Sequence, residues 1–473
     1  MEERKSGVSG ATRRDPTLAS VRAVRSHPHD REIVRLALPA FGALVAEPLF
    51  LLADSAIVGH LGTPQLAGLG VAGALLATAV TLCVFLAYGT TAAVARRLGA
   101  GDQRGALALG VDGMWLAAGL GVVIALLGVV AAEPLVDAFG TSEAATPYAL
   151  TYLRVSLAGI PAMLVVLAAT GVLRGLQDTR TPLVVAATGA AANVVLNLVL
   201  VYGAGMGIAG SALGTVLAQV GMAATFVAVV VRGARVHGAS LRPDLAGIRA
   251  AGTTGVPLLL RTLTLRAALL VMAYVATAQG TRSVAAHQVA FTIWTFLALA
   301  LDAVAIAGQA IVGRYLGAGD VAGTRAATRR MVEWGVAAGV LTAVLVVALR
   351  PVYVPLFTGD PAVRDLISAV LVVAAVLQPV AGAVFTLDGV LIGAGDGRYL
   401  AWAGVLTLLA FLPLAAWVLA DDGGLVALWW AFGAFMLARL ATLVWRERGA
   451  AWLVTGADVP RRRGGGGAAA PGR

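Results

Sequence analysis

The chain has 473 residues, of which 59% are hydrophobic and only 13% charged, and its mean hydropathy is +0.86. This composition excludes an ordinary soluble globular protein and indicates a protein of the lipid bilayer. The net charge of +10 does not point to a nucleic-acid partner, because most basic residues lie in short segments between apolar runs, without interleaved aromatic residues.

Twelve apolar runs, each long enough to cross a bilayer as a helix, follow one another between residues 33 and 445. A polar, arginine-rich segment precedes them, an arginine-rich linker separates the sixth run from the seventh, and a glycine-rich, low-complexity segment follows the last. We therefore expect a disordered cytoplasmic tail, an N-terminal six-helix lobe, a cytoplasmic linker, a C-terminal six-helix lobe and a second disordered cytoplasmic tail: 1–31, 32–231, 232–249, 250–446 and 447–473.

The connectors between the runs alternate in charge. One set is rich in arginine, for example Arg96 and Arg97 after the second run, whereas the other set carries acids, for example Glu133 and Asp137 after the third. By the positive-inside rule the arginine-rich connectors and both termini are cytoplasmic. The sequence thus predicts a multi-pass protein of the cytoplasmic membrane, and its richness in Ala, Gly, Val and Arg suggests a bacterial source.

Sequence motifs recur at a spacing of 218 residues. "LGAGD" at 98–102 returns at 316–320, and "GVLRGLQDTR" at 171–180 returns as "GVLIGAGDGR" at 389–398. Each copy holds an even number of spans, so both have the same topology and are related by an axis along the membrane normal. Two such lobes suit alternating access, in which one rocks against the other around a central cavity.

Two acids interrupt the first apolar run. An acid within hydrocarbon costs on the order of 2.5–3.5 kcal/mol, so it needs a partner or a function. Asp54 lies near the extracellular end of the run, where the alternative to a functional role is a helix cap or an interfacial acid that reaches headgroup water. Glu47 lies seven residues earlier, on the same helical face, and either takes part in coupling or forms a static hydrogen bond to freed backbone or to a neighbour. Pro48 removes a backbone donor and predicts a bend in the helix.

The C-terminal lobe carries charges inside its apolar runs as well. Arg261 and Arg266 lie in the seventh run, Asp302 in the eighth and Asp388 in the tenth. Counted from the cytoplasmic ends, Arg261 and Asp302 fall at nearly the same depth, which favours a neutralised ion pair over a transport site. Asp388 lies nearer the cytoplasm and could cap its helix, pair with Arg261 or form a second proton site.

Four motifs follow one another along the chain: "LADSAIVGHLG" at 52–62, "RRLGAGD" at 96–102, "GVLRGLQDTRTP" at 171–182 and "NVVLN" at 193–197. In these motifs and their order, the sequence resembles the multidrug and toxic compound extrusion (MATE) family, particularly its DinF-like branch, over roughly residues 32–446. The resemblance implies an all-α membrane fold with twelve transmembrane helices in two six-helix lobes. It also implies export of amphipathic, often cationic compounds in exchange for inward protons or sodium ions.

In DinF-like and archaeal members, an acid in the first helix and an Asn and an Asp in the fifth form a site in the N-terminal lobe. The resemblance assigns Asp54 to the first acid and Asn193 to the asparagine, whereas Asn197 stands where many relatives have the second Asp. The two asparagines are one turn apart on one face, at a depth comparable to that of Asp54. Losing the second acid favours protons over Na⁺, because a hard cation prefers several oxygen ligands that include carboxylates.

The sequence therefore predicts an antiporter of small molecules that works in the lipid bilayer, binds no nucleic acid and functions as a monomer. Asp54 is the expected proton carrier. Its hydrogen-bond partners are Asn193 and Asn197, and Glu47 is a second candidate acid. P-loop, HExxH and GxSxG motifs and metal-spaced clusters do not occur, so we expect neither an enzyme nor a metal or other cofactor. The alternatives are a lipid or lipid-linked precursor flippase of the same superfamily, a Na⁺-coupled exporter and a membrane enzyme that uses Asp302 and Asp388.

Overall fold

The computed structural model describes residues 28–457, and α-helices dominate this part of the chain. The helices alternate with short connectors, as the succession of apolar runs predicts. Their bounds are α1 Pro28–Gly59, α2 Thr63–Leu82, α3 Phe85–Gly99, α4 Gln103–Ala138, α5 Thr146–Leu157, α6 Ile160–Gly175, α7 Arg180–Leu198, α8 Gly207–Val236, α9 Leu245–Ala278, α10 Thr281–Gly317, α11 Val321–Phe357, α12 Pro361–Gly393, α13 Gly397–Ala420 and α14 Gly424–Arg448.

The fourteen helices make twelve membrane spans, because two spans consist of two helices each. A short break at Cys83 and Val84 separates α2 from α3 within one long apolar span, Thr63–Gly99. The helices α5 and α6 form a second broken span, with a bend of 52° between them. One further irregularity follows α7, which continues as a π-helical turn, Val199–Gly203. The predicted number of spans is confirmed.

The spans form two six-helix lobes, each with its own apolar core. In the N-terminal lobe, α1–α8, the core includes Leu164 and Phe226. In the C-terminal lobe, α9–α14, it includes Met272, Phe411 and Trp429. The predicted fold class, an all-α membrane protein of two lobes, is therefore confirmed.

Helix α1 contacts both lobes. Its first turns lie at the face of the bundle that carries both described chain ends, hereafter the terminal face. There Ile33 and Leu36 belong to the core of the C-terminal lobe, and Asp30 accepts hydrogen bonds from Arg330 Nε at 2.5 Å and Nη2 at 2.9 Å on α11. Glu32 pairs with Arg314 at the end of α10. The last turns of α1 pack within the N-terminal lobe, so this helix links the lobes.

The segment after α14 also crosses between the lobes. Arg96, at the end of α3, donates to the carbonyl oxygens of Val454 at 2.5 Å and Gly456 at 3.0 Å, and Trp452 is buried. Both predicted tails therefore need correction at their inner ends: residues 28–31 begin α1, and residues 449–457 pack on the bundle because Trp452 and the backbone carbonyls find partners there. The rest of the two tails, 1–27 and 458–473, lies outside the described residues.

The connection between the lobes is shorter than the predicted linker 232–249. Helix α8 continues to Val236 and α9 begins at Leu245, where the Asp244 side chain accepts from the amides of residues 246 and 247 at the helix start. The carboxylate of Asp112 in α4 accepts from the Asp244 backbone amide at 3.0 Å, which ties the connector to the N-terminal lobe.

The lobes touch most closely where α3 crosses α10 near the terminal face. A Cβ atom at Gly99 would collide with the Arg314 carbonyl, and one at Gly317 would collide with the Arg96 carbonyl. These two contacts are equivalent under the 218-residue repeat, so they lie on either side of the pseudo-two-fold axis. Small residues at this crossing allow the two backbones to approach, as is common between membrane helices.

We predict that Gly99→Ala lowers the stability of the protein by about 1–3 kcal/mol, because the new methyl group meets backbone that cannot rotate away. Thermal unfolding in detergent measures the effect. Gly89→Ala in the same helix is the matched control, since a Cβ atom there has no neighbour within 4 Å. A Gly99→Ala variant that unfolds at the temperature of the control contradicts the tight crossing.

Candidate functional site

The carboxylate of Asp54 is enclosed within the N-terminal lobe. Asp54 is only 2% exposed, five residues before the end of α1 that faces away from the terminal face. Its Oδ1 atom accepts hydrogen bonds from Asn197 Nδ2 at 2.8 Å and from the Ser211 hydroxyl. Its Oδ2 atom accepts from the Tyr152 hydroxyl at 2.9 Å. The structure therefore excludes an interfacial acid in free contact with headgroup water.

Four spans contribute to this site. Asp54 comes from α1, Tyr152 from α5, the two asparagines from α7, and Ser211 with Thr215 from α8. Residues one helical turn apart lie on the same face, so α7 and α8 each contribute two polar groups to the site, one of which contacts the acid directly. The pairs come together because the rest of each helix face is apolar and packs in the lobe core.

The amide of Asn197 connects Asp54 to the remainder of the network. Its Nδ2 atom donates to Asn193 Oδ1 at 3.1 Å, and Asn193 Nδ2 donates to Thr215 Oγ1 at 3.1 Å. A Cβ atom at Gly214 would collide with Asn197 Oδ1, so glycine is needed there to seat the amide. Among the described residues, Asn197 Oδ1 is buried without a hydrogen-bond partner.

The groups that hold Asp54 are all neutral. Two of them are hydroxyls, which can donate or accept a hydrogen bond after a rotation, and the third is an amide with both a donor and an acceptor end. Such a shell can hold a carboxylate with three donors and can also accept a hydrogen bond from a protonated carboxyl. Chemically, the arrangement is suited to binding and releasing a proton inside the lobe.

The structure brings Asp54, Asn193 and Asn197 together, but it corrects one detail of the prediction. Asn193 reaches Asp54 only through Asn197, because its own amide is turned toward Thr215. Sequence reasoning missed Tyr152, Ser211 and Thr215. The spacing of Ser211 and Thr215 by one turn at the start of the sixth run was a usable signal, whereas nothing in the sequence distinguishes Tyr152 from a packed tyrosine.

The structure does not bring Glu47 into this network. Glu47 is exposed on α1. None of the hydrogen bonds among the described side chains links it to Asp54. Helix α1 continues through Pro48 without a break, and the bend that Pro48 predicts stays a prediction.

The predicted ion pair between Arg261 and Asp302 is wrong. Arg261 pairs instead with Oδ2 of Asp388, which was one of three options for that acid, and Arg439 of α14 donates to the same oxygen at 3.1 Å. Depth along a helix does not specify the direction in which a side chain points, and α12 brings Asp388 next to α9. Sequence reasoning missed Arg439, although a charge inside the twelfth apolar run was a clear signal.

The remaining C-lobe charges lie between the lobes. Asp302 is within electrostatic range of Arg174 on α6, Arg261 and Tyr88 on α3, but it forms no ion pair with them within 4 Å. Arg266 is exposed and donates to Thr81 Oγ1 on α2 at 3.0 Å. Charged and polar groups of both lobes therefore meet along their interface.

The two lobes differ in chemistry although they share a fold. At a repeat spacing of 218 residues, the C-lobe positions that correspond to the site around Asp54 hold apolar residues. Apart from a glycine, these residues have buried side chains. They are Met272, Val370, Phe411, Ala415 and Trp429. Among these pairs of equivalent positions, all within the described residues, the acid belongs to the N-terminal lobe, which locates the candidate site in that lobe.

Comparisons with known proteins find one family model and several relatives that match most of the chain. The MatE family model matches twice, at residues 39–199 and 257–417, which differ by the repeat spacing of 218. The chain is 31% identical to protein DETOXIFICATION 44, chloroplastic, of Arabidopsis thaliana, over 88% of this chain and 81% of that protein. It is 30% identical to DNA damage-inducible protein F of Escherichia coli, over 88% of this chain and 92% of that protein.

Similar folds occur among solved structures. A crystal structure of MATE in the bent conformation matches with a TM-score of 0.82 at 25% sequence identity, covering 90% of this chain and 96% of that one. The bundle of twelve spans is therefore a known transporter architecture.

We predict that Tyr152→Phe lowers the free energy of unfolding by about 1–3 kcal/mol, because a buried carboxylate loses one of its donors. Unfolding of purified protein in detergent measures this cost. Tyr148→Phe, on the same helix, is the control, since its hydroxyl donates to no described residue.

A double-mutant cycle separates this bond from general packing. In the Asp54→Asn background the cost of Tyr152→Phe should shrink, because the charged acceptor is gone. An unchanged cost in that background contradicts a hydrogen bond to a charged Asp54.

Proposed function

Because the chain belongs to the multidrug and toxic compound extrusion (MATE) family, we propose that it is a secondary antiporter that exports amphipathic, mainly cationic small molecules in exchange for protons. The family consists of multidrug efflux transporters, and the chain is a multi-pass membrane protein. In this proposal Asp54 is the proton carrier.

One observation carries the proposal: an acid is enclosed in a lobe whose partner lobe is apolar at the equivalent position. A buried charge is costly unless it is paired, and Asp54 is held by neutral hydrogen-bond donors only. Its charge is therefore not cancelled by an arginine, as the charge of Asp388 is. An uncancelled buried acid supports a functional rather than a structural role.

The shell of Asp54 favours a proton over a sodium ion. Sodium needs several oxygen atoms that turn their lone pairs to the ion, whereas Tyr152, Ser211 and Asn197 turn hydrogen atoms toward the carboxylate. A proton requires less rearrangement. When Asp54 is protonated, a hydroxyl can rotate to accept, and a flip of the Asn197 amide gives its unpartnered oxygen a donor.

Helix α1 connects this site to the terminal face, where the lobes meet. Its outer part carries Asp54, and its first turns hold the C-terminal lobe through Asp30 and Glu32. Protonation changes the hydrogen bonds around Asp54 and so the position of α1, which shifts the balance between the two orientations of the lobes. Glu47, exposed on the same helix, adds negative charge that attracts cations.

The proposal includes an orientation and a location. We propose a bacterial cytoplasmic membrane as the location; the positive-inside rule supports a cytoplasmic orientation of the arginine-rich terminal face, with Asp54 near the outer side. Protons then enter from outside and return the transporter to the inward-facing orientation for another cycle. We further propose that the monomer is the working unit, since each chain holds both lobes, and that the protein is not an enzyme.

We predict that purified protein in liposomes exports a fluorescent cationic dye when an inward proton gradient is imposed, and that Asp54→Asn reduces this efflux to the level of empty liposomes. Removing the titratable group removes the coupling, while a similar amide preserves the packing. Dye fluorescence over time measures the rate. A sodium gradient of equal size, applied separately, should drive little efflux.

The matched control is Asp137→Asn, which removes an exposed acid from the same lobe at the end of α4. Its efflux should stay within about twofold of the native rate, as expected for a surface substitution. Efflux that survives Asp54→Asn contradicts the assignment of Asp54. Efflux driven by sodium alone supports the Na⁺-coupled alternative, and lipid translocation without dye efflux supports the flippase.

A further inference from the structure

A second polar cluster lies inside the C-terminal lobe, outside the site described for Asp54. It surrounds a cavity of about 20 Å³ between α9, α12, α13 and α14. These helices are the repeat equivalents of those that hold Asp54, but the cavity lies closer to the terminal face. The polar residues that line it are Arg261, Thr264, Asp388, Thr407, Arg439 and Thr442.

The cavity carries an excess of positive charge. Arg261 and Arg439 both bind a single oxygen, Oδ2 of Asp388, so two guanidinium groups share one carboxylate. The next acid, Asp302, does not change the balance, because Arg174 is close to it as well. Counting these three arginines against two acids leaves one positive charge that no described residue neutralises. Inside a membrane protein such a charge is costly.

One guanidinium nitrogen also lacks an acceptor. Among the described residues, Arg261 Nε is buried without a hydrogen-bond partner, although buried donors are nearly always paired. The hydroxyls of Thr264 and Thr442 donate to carbonyl oxygens of their own helices at 2.8 Å. Rotation of the hydroxyl can exchange such a local bond for a hydrogen bond to a ligand. The walls thus offer donors and no second acid.

The size of the cavity limits the ligand. A space of about 20 Å³ holds one water-sized group. The side chains of Arg261 and Arg439 remain 15% and 12% exposed, so the cavity is partly open and accessible. A monatomic anion fits inside, and a carboxylate can enter from the mouth with the rest of its molecule outside.

We propose that this C-lobe cavity is a binding site for a small monovalent anion, either a halide such as chloride or the carboxylate group of a larger molecule. The anion neutralises the excess arginine charge and accepts hydrogen bonds from the guanidinium groups. This site is independent of proton coupling at Asp54, because the two clusters lie in different lobes.

The test is equilibrium binding of radiolabelled chloride to the purified full-length protein in detergent, with sulfate as the balancing anion at constant ionic strength. We expect saturable binding to the native protein. Acetate distinguishes the two sources: displacement of chloride by acetate identifies a carboxylate site, and binding that acetate leaves intact identifies a halide site. Absence of saturable chloride binding to the native protein overturns the proposal.

Three substitutions locate the site and separate binding from folding. Arg261→Gln should weaken chloride binding at least about tenfold, because a charged donor is lost. Arg266→Gln, with the same loss of charge on the same helix but outside the cavity, should leave binding unchanged. Asp388→Asn should tighten binding, because it removes the acid that competes for both arginines.

The two substitutions are expected to change chloride affinity in opposite directions, weaker for Arg261→Gln and tighter for Asp388→Asn. A folding defect cannot explain this result, because a merely destabilised protein cannot bind chloride more tightly. Binding that weakens in Asp388→Asn overturns the proposal. So does binding that Arg266→Gln abolishes and Arg261→Gln preserves, because the anion would then lie in the cleft between the lobes.

Discussion

Asp54 is held inside the N-terminal lobe by hydrogen bonds from three neutral side chains, and the proposed proton coupling depends on this arrangement. A carboxylate enclosed by apolar helices would be costly without these donors, and a salt bridge would fix it in its charged state. Hydroxyls and an amide can instead adapt to either protonation state. The C-terminal lobe shows the contrasting solution: Asp388 is locked between Arg261 and Arg439.

The internal duplication provides two lobes of the same fold that can move against each other. Gly99 and Gly317 bring the two lobes into close contact at symmetric positions near the terminal face, while α1 and the segment after α14 cross from one lobe to the other. Sequence divergence within this symmetric frame placed an acid in one lobe and Met272 at the equivalent position of the other. A symmetric scaffold therefore carries two different sites.

Much of the fold was predictable, because apolar runs of bilayer length and connector charges are direct consequences of crossing a membrane twelve times. The 218-residue spacing, a consequence of the internal duplication, predicted the two lobes. The acid and the two asparagines were predictable as well, from the cost of polar groups at such depth and from the family resemblance. Tyr152 was not, since a tyrosine is stable in many membrane environments. The partner of Arg261 was misassigned because helix depth leaves the helix rotation unknown, and two acids were within reach.

The measurement that tests the central claim most directly is the release of protons when a cationic dye binds to detergent-solubilised protein in weakly buffered solution. If Asp54 alternates between proton and substrate cation, native protein releases protons on dye binding, and Asp54→Asn releases none. Proton release that is undiminished in Asp54→Asn, or dye binding to native protein without any release, would contradict the claim that Asp54 couples the two.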